Sequence, residues 1–507
     1  IASVDQSGLG LPDRDYYLKD DAKSVALRAQ YVTHVAGVLQ VLGDTPTGAA
    51  EGAQSILRIE TELARGHMSR VDRRSPENTY HRLARARLVE LAPSWPWDRY
   101  FQQMGIEAIV DLNVSSPGYF AVLERQLNSV PLNDWKTYLR WHTARLASPY
   151  LSAPFVNADF AFFSKTLTGA QELQPRWKRC VNRVDRQLGE ALGEVYVEKY
   201  FSADTRARTL RMVRQIEVAM AEDINGLQWM SSDTKSQALD KLNAVTNKIG
   251  HPERWRDYST VTIVPNDYFA NATSAMGFEV RRQLAKIGKP LVRGEWYLSP
   301  PTVNANYDPQ MNEINFPAGV LQPPAFDPKM DDAPNYGNTG ATIGHELTHG
   351  FDDQGSQFAA NGNLANWWTD QDRAEFDKRT GCVADQYGAY TALDGTKQNG
   401  KLTLGENAAD NGGLRIAYMA LMETLKDKKP AAREGFTPEQ RFFLGWGQVW
   451  CAAARPEFER LQVQTDPHSL PRYRVNGTVS NMPEFQKAFS CPQSAPMVRG
   501  DKACRVW

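Results

Sequence analysis

No stretch of this chain stays apolar for the roughly 20 residues that a membrane helix requires. The longest candidates, such as IAYMALM at 416–422, read as pieces of amphipathic helix. A surplus of one charge is also lacking: 58 basic residues face 59 acidic ones, for a formal net charge of −1. That gives no basic excess to hold a nucleic acid. The five cysteines, Cys180, Cys382, Cys451, Cys491 and Cys504, show no CxxC spacing, which argues against a cysteine-built zinc site. The start, IASVDQSGLGLPDRDYYL, has neither a basic n-region nor an apolar h-region. It is therefore not a signal peptide, and it reads as a processed or truncated end. Repeats and low-complexity linkers are missing too.

What is present is the composition of a globular protein with ample core: 507 residues, 42% hydrophobic, 23% charged and 10% aromatic. Length sets a prior of about three domain-sized units, or fewer large ones. Roughly the first 250 residues read as successive helices. Stretches 25–43, 177–201 and 205–227 keep apolar stripes at helical spacing, and the first ends at Gly43. After about residue 255 the texture turns to Pro, Asn and β-branched residues, as in YSTVTIV (258–264) and the run 297–326. Short strands and loops fit that composition, and NANYD followed by NEINFP reads as a hairpin. Helices resume near Thr339 and dominate to about residue 455. The expected division is a helical half, 1–255, and a chemical half, 256–507.

The chemistry is concentrated in GHELTHGFDD, Gly344–Asp353. Ile343, Leu347 and Phe351 recur at i, i+4 and i+8 on one helical face. His345, His349 and Asp352 fall at i, i+4 and i+7 on another. Histidines four apart on a helix project side by side and can converge on one ion. Glu346, one position round, can reach a metal-held water without being a ligand. A catalytic zinc needs a third protein ligand and an open position. The metzincin spacing would put a third histidine where Gly355 stands. The next candidate is GENAADNGG, 405–413, where Glu406 can complete a His-His-Glu set and Asp410, four residues on, can orient a ligand histidine. A competing reading takes Thr403 and Glu406 as a capping box; it leaves Asp410 without a reason. Gly412 and Gly413 weaken the helix and suggest close packing against another element. The stretch 464–477 carries His468 and Arg474 on a backbone stiffened by Pro467 and Pro471.

Taken together, these motifs resemble the neprilysin family (M13) of zinc endopeptidases. The resemblance rests on VNANY at 303–307, GHELTHGFDDQG from Gly344, GENAADNGG from Gly405, QVWC at 448–451, DPHSLPRYRVNG from Asp466 and CRVW at 504–507. GLGLPDRDYYL and MSRVDRRSPENTYHRL (68–83) extend it through the first half. It implies a mainly helical fold with a little β structure. Two lobes would enclose a central cavity: a thermolysin-like (gluzincin) catalytic lobe and a helical covering lobe.

It also implies roles. His345, His349 and Glu406 would bind one zinc ion per chain. Glu346 would be the general base, His468 would stabilise the oxyanion, and Asp410, with Asp352 as a lesser candidate, would orient a ligand histidine. Asn304, the carbonyl of Ala305 and Arg474 would hold a peptide substrate, with Val449 and Trp450 walling an apolar pocket after the scissile bond. The substrates would be oligopeptides, cut on the amino side of hydrophobic residues. Thr342 stands where the family often has an aliphatic residue. Cys382 would pair with Cys504, while Cys180, Cys451 and Cys491 would bond to an N-terminal segment that precedes GLGLPDRDYYL in the family. The protein would then be extracytoplasmic: periplasmic, secreted or a cell-surface ectodomain. The linker style and sparse sequons (Asn113, Asn271, Asn476) resemble a bacterial more than an animal member. The competing function is a catalytically silent receptor or scaffold of the same fold, which would be expected to have lost Glu346 or a ligand; both are intact.

Overall fold

The computed structural model describes residues 1–428 and 430–507, and these divide into two compact units. The first comprises Ile1–Arg176 and Tyr258–Leu291; the second comprises Trp177–Asp257 and Val292–Trp507. Both are mainly helical, each with one three-stranded sheet.

In the first unit, β1 (Ser3–Val4) runs parallel to β3 (Asp111–Val114), which pairs antiparallel with β2 (Arg82–Ala84). Its core is built by helices α1 (Ala22–Val41), α2 (Pro46–Gly66) and α3 (Leu132–Ala147). Asp21 caps α1 by accepting the amide N–H groups of Lys23 and Ser24, which satisfies donors left over at a helix start. Gly43 follows the end of α1 with φ +101°, a backbone shape that suits glycine. The MSRVDRRSPENTYHRL stretch fastens the amino-terminal segment: Arg73 forms a bidentate pair with Asp5, and Arg70 bonds Asp13 and the carbonyl of Pro12.

The second unit is organised around α6 (Ala341–His349), with α4 (Ala203–Gly226), α5 (Ser232–Asn243), α7 (Asp370–Gly388), α8 (Leu404–Leu425), α9 (Pro438–Val449) and α10 (Pro471–Val479). A π-helical turn, Tyr336–Gly340, leads into α6. Ile343, Leu347 and Phe351 are buried on the α6 face that meets Met212, Val213 and Ile216 of α4 in one core. The helices α6 and α8 cross at glycines. A Cβ on Gly344 would lie 2.4 Å from the carbonyl oxygen of Gly413, and one on Gly413 would lie 2.2 Å from the amide nitrogen of His345. Neither position has room for a side chain, so this pair sets how closely the two helices approach. A disulfide joins Cys382 of α7 to Cys504 of the tail.

The sheet of this unit has the order β4 (Thr246–Gly250), β6 (Glu313–Pro317), β5 (Asn306–Asp308). β4 is parallel to β6, and β5 is antiparallel to it. The hairpin read in NANYD and NEINFP is thus β5–β6, and β5 lies at the sheet edge.

The compact units do not follow a single cut near residue 255. Helix α4 buries Met212, Val213, Ile216, Met220 and Ile224 in the second unit's core, although its sequence looks like the helices before it. Conversely, 258–291 belongs to the first unit. It includes the helix Tyr268–Leu284, inside the span read as strands and loops. The buried face of that helix is Ala272 and Ala275, too small to give a marked apolar period. YSTVTIV is turn and loop.

Candidate active site

Two glycine-spaced helices and one loop converge in the second unit. Helix α6 contributes His345, Glu346 and His349, which bring one ligand-capable atom each within 4.8 Å of one another. From α8, Glu406 directs its Oε2 to 3.2 Å from Nε2 of His345 and 3.6 Å from Nε2 of His349. The loop before α10 brings Nε2 of His468 to 3.2 Å from the same oxygen. Thr403 makes no side-chain cap on α8. Its hydroxyl donates to Asn399 O and accepts from Asn407 Nδ2, so the capping-box reading of Glu406 fails.

Each imidazole is oriented from behind. Asp410 Oδ1 lies 2.8 Å from His345 Nδ1, and Asp352 Oδ2 lies 2.8 Å from His349 Nδ1. Asp466 Oδ1 lies 2.7 Å from His468 Nδ1. Carboxylates accept, so the Nδ1 atoms donate and the Nε2 lone pairs of neutral rings face inward. Those of His345 and His349 meet at 3.0 Å, and the buried Oε2 of Glu406 has no hydrogen-bond donor. Two facing lone pairs and an orphaned carboxylate oxygen repel one another unless a cation sits among them. The donor set, two imidazoles and a carboxylate, is one that zinc takes. The residues present therefore fit that ion.

The same carboxylates and imidazoles also shift one another's protonation. Burial alone would lower the pKa of His349, but Glu406 and Asp352 outweigh it and hold it well above the ordinary imidazole value. Burial would raise Glu406, yet His349, His345 and His468 bring it well below the usual carboxylate range. For Asp410, burial is likewise overcome, by Arg474 and His345. Glu346 goes the other way: burial raises it, with the neighbouring histidines only partly opposing.

Arg474 is buried. Its Nε and Nη2 each donate to Asp410 at 2.7 Å, and its guanidinium lies 3.8 Å above the ring of Trp450. Trp446 Nε1 donates to the carbonyl of Arg474. Val449 ends α9 next to Trp450, and both are half-buried. Thr342 bonds back to Asn338 O within its own helical run. Asn304 is exposed and Ala305 buried, immediately before edge strand β5. Cys180, Cys451 and Cys491 have no disulfide partner among the described residues, and Cys451 is exposed.

Several residues that support the site have no role assigned by the motifs, although Asp466 and Ser469 stand inside DPHSLPRYRVNG and Asn407 inside GENAADNGG. Asp466 steadies His468. Ser469 donates to Asn407 Oδ1 and accepts from Gln398 Nε2, tying the His468 loop to α8. Asp466-x-His468 could have been picked out as a carboxylate two residues from a histidine; Gln398 lies about 70 residues from its partner and could not.

The model described as peptidase family M13, N-terminal part, matches residues 1–252, and that of the M13 peptidase itself matches residues 304–506. Endothelin-converting enzyme 1 from Bos taurus is 37% identical over 530 residues, covering 100% of this chain and 69% of that protein. The crystal structure of the Mycobacterium tuberculosis zinc metalloprotease Zmp1 with an inhibitor superposes with a TM-score of 0.96 at 39% identity, covering 100% of this chain and 78% of that one. PepO from Lactobacillus rhamnosis gives 0.89 at 28% identity, covering 100% and 79%. With both family models matched and a relative of this identity aligned along the whole of this chain, the chain belongs to peptidase family M13.

Proposed function

We propose that this protein is a zinc-dependent endopeptidase that hydrolyses oligopeptides on the amino side of hydrophobic residues, with one zinc per chain held by His345, His349 and Glu406. The observation that carries it is the orphaned Oε2 of Glu406 among three imidazole Nε2 atoms. Glu346 also stands among the possible ligands, grouped with His345 and His349. It is assigned the base instead, because it sits one residue round the helix from His345, while Glu406 Oε2 lies 3.2 and 3.6 Å from the Nε2 atoms of both histidines. Membership of a peptidase family and the zinc metalloprotease among the similar structures support the same reading.

When bound, zinc supplies a Lewis acid that acidifies water and polarises the scissile carbonyl. Glu346, its carboxyl raised by burial, takes a proton from the attacking water and returns it to the leaving amine. His468, as an imidazolium whose Nδ1–H is held by Asp466, donates from Nε2 to the developing oxyanion. Asp410 and Asp352 fix the tautomers of His345 and His349. The Arg474 guanidinium, locked by Asp410 and Trp450, presents Nη1 to a substrate carbonyl. Asn304 and Ala305 O, at the end of the β5 edge, receive the peptide as an added strand. Val449 and Trp450 line the apolar pocket that selects the residue after the cut.

The silent receptor or scaffold is the competing function. Retention of Glu346 and all three ligands favours the enzyme. Among the described residues no helix is long and apolar enough to cross a membrane. The Cys382–Cys504 disulfide favours an oxidising, extracytoplasmic compartment. Cys180, Cys451 and Cys491 are assigned to disulfides with partner segments outside this sequence; non-reducing peptide mapping of the native protein should recover them as mixed disulfides, and free thiols there would refute the pairing. The main test is cleavage-site mapping on a peptide library with and without a chelator. Cuts before hydrophobic residues that vanish with chelator are expected; a zinc-loaded protein that cuts nothing would leave the silent reading standing.

A further inference from the structure

Lys241, near the C-terminal end of α5, is 1% exposed. Lysine is almost never buried so deeply unless paired, and burial pushes its ammonium down to about 7, with Asp352 pulling the other way. Its Nζ donates to the carbonyl oxygens of Gly355 (2.7 Å) and Phe358 (2.6 Å) and lies 5.6 Å from the ring centre of Phe351. Those carbonyls belong to the tight turn that follows α6.

Within that turn the amides of Gln354 and Gly355 donate to Asp352 Oδ1 at 2.9 and 2.7 Å. The other oxygen of Asp352 accepts from His349 Nδ1. Gly355 thus joins two partners: its N–H holds Asp352 and its C=O is held by Lys241. The turn leaves no slack here, since a Cβ on Gly355 would lie 1.8 Å from the carbonyl oxygen of His349. The carbonyl of Lys241 itself accepts from Asn312 Nδ2, whose Oδ1 takes the hydroxyl of Tyr307 on edge strand β5.

We propose that Lys241 is a positioning residue for the metal centre: by gripping the carbonyls of Gly355 and Phe358 it fixes the turn that aims Asp352, and through Asp352 it fixes the imidazole of His349. This rests on the reading of His349 as a zinc ligand. One ammonium can satisfy two carbonyls and still set a positive charge beside Asp352. A neutral side chain of similar length can do at most one of these, so the position calls for lysine and not for packing alone.

A double-mutant cycle on zinc affinity tests it. The zinc dissociation constant is measured by competition with a chromophoric chelator for the wild type, Lys241→Met, Asp352→Asn and the double variant. Each single change should raise the constant about 10-fold, the lower end for outer-shell partners of a ligand. The double variant should be no weaker than the weaker single one, because both act through one path. A Lys241→Met protein that binds zinc as the wild type does overturns the proposal. So does a double variant whose loss is the product of the two singles, since that is what a general structural role predicts. If the methionine variant does not fold, the same cycle is run with Lys241→Gln, which keeps a donating amide group and removes the charge. A wild type that binds no zinc would instead refute the functional reading, and this proposal with it.

Discussion

The two units bury carboxylates in opposite ways. In the first, Glu60 is wholly enclosed and fully answered: Tyr17 donates at 2.6 Å, Tyr31 at 2.9 Å to both oxygens, and His142 Nε2 lies 2.9 Å away. The donors are themselves answered, Tyr17 by the amides of Gly10 and Leu11 and Tyr31 by Trp141 Nε1. Burial and Glu60 hold both phenols well above their ordinary pKa, so they remain donors. In the second unit, Glu406 faces three imidazoles and keeps an oxygen with no donor. A closed polar network gives structure, pinning the amino-terminal segment to α1, α2 and α3. An open one gives a place for something the chain does not itself contain.

The comparison breaks most completely at Glu406. Glu406→Ala should reduce bound zinc, read by atomic emission, from one per chain to near zero and abolish hydrolysis with it. Stoichiometric zinc in that variant would remove Glu406 from the ligand set. Next in size is Glu346→Gln, which should keep zinc while lowering kcat by roughly 10²–10⁴-fold, the range for a positioned proton carrier. Wild-type turnover on a fluorogenic peptide would end its assignment as base.

How much of this the sequence makes legible depends on distance along the chain. His345 and His349 stand out because four residues are one helical turn, and Gly412 and Gly413 announce a close crossing that the structure has at Gly344. Glu406 and Asp410 show the same spacing. His468, Arg474 and Asn304 have no such local sign; only family resemblance singles them out. Lys241, 114 residues from Gly355, and Gln398, 71 from Ser469, are invisible for the same reason. Periodicity tells that a helix has an apolar face and not which core that face meets. That is why α4 reads as part of the first half, and why the alanine-faced helix Tyr268–Leu284 goes unread.

Glu60 offers the matching loss in the first unit. Glu60→Ala strands two phenols and an imidazole in the core, a cost of about 3–5 kcal/mol for breaking a buried network of this kind. Chemical denaturation should register it, while the zinc dissociation constant stays at the wild-type value. A variant that loses zinc without losing stability would erase the distinction between the two carboxylates.

The smallest effect concerns imidazoles, which the units also treat oppositely. His349 is held above its ordinary pKa by carboxylates. His34 lies among aromatic rings, stacked on Phe162 at 5.0 Å and edge-on to Trp141 at 5.4 Å. Burial first, and the charge of Arg145 second, push it down from 6.5 to about 4. Between those two values the unfolded chain takes up a proton that the folded chain refuses, so stability falls as the pH drops through that window. Each tenfold rise in proton activity there is worth about 1.4 kcal/mol, so about 3 kcal/mol is gone by pH 4. His34→Phe keeps the stacking and removes the titration. Carboxylates elsewhere affect both proteins alike, so the difference in unfolding free energy between wild type and variant isolates this ring. That difference should grow by about 3 kcal/mol in the variant's favour between pH 6.5 and 4. Parallel profiles would mean that the ring is protonated in the folded protein and that the aromatic cage does not exclude its charge.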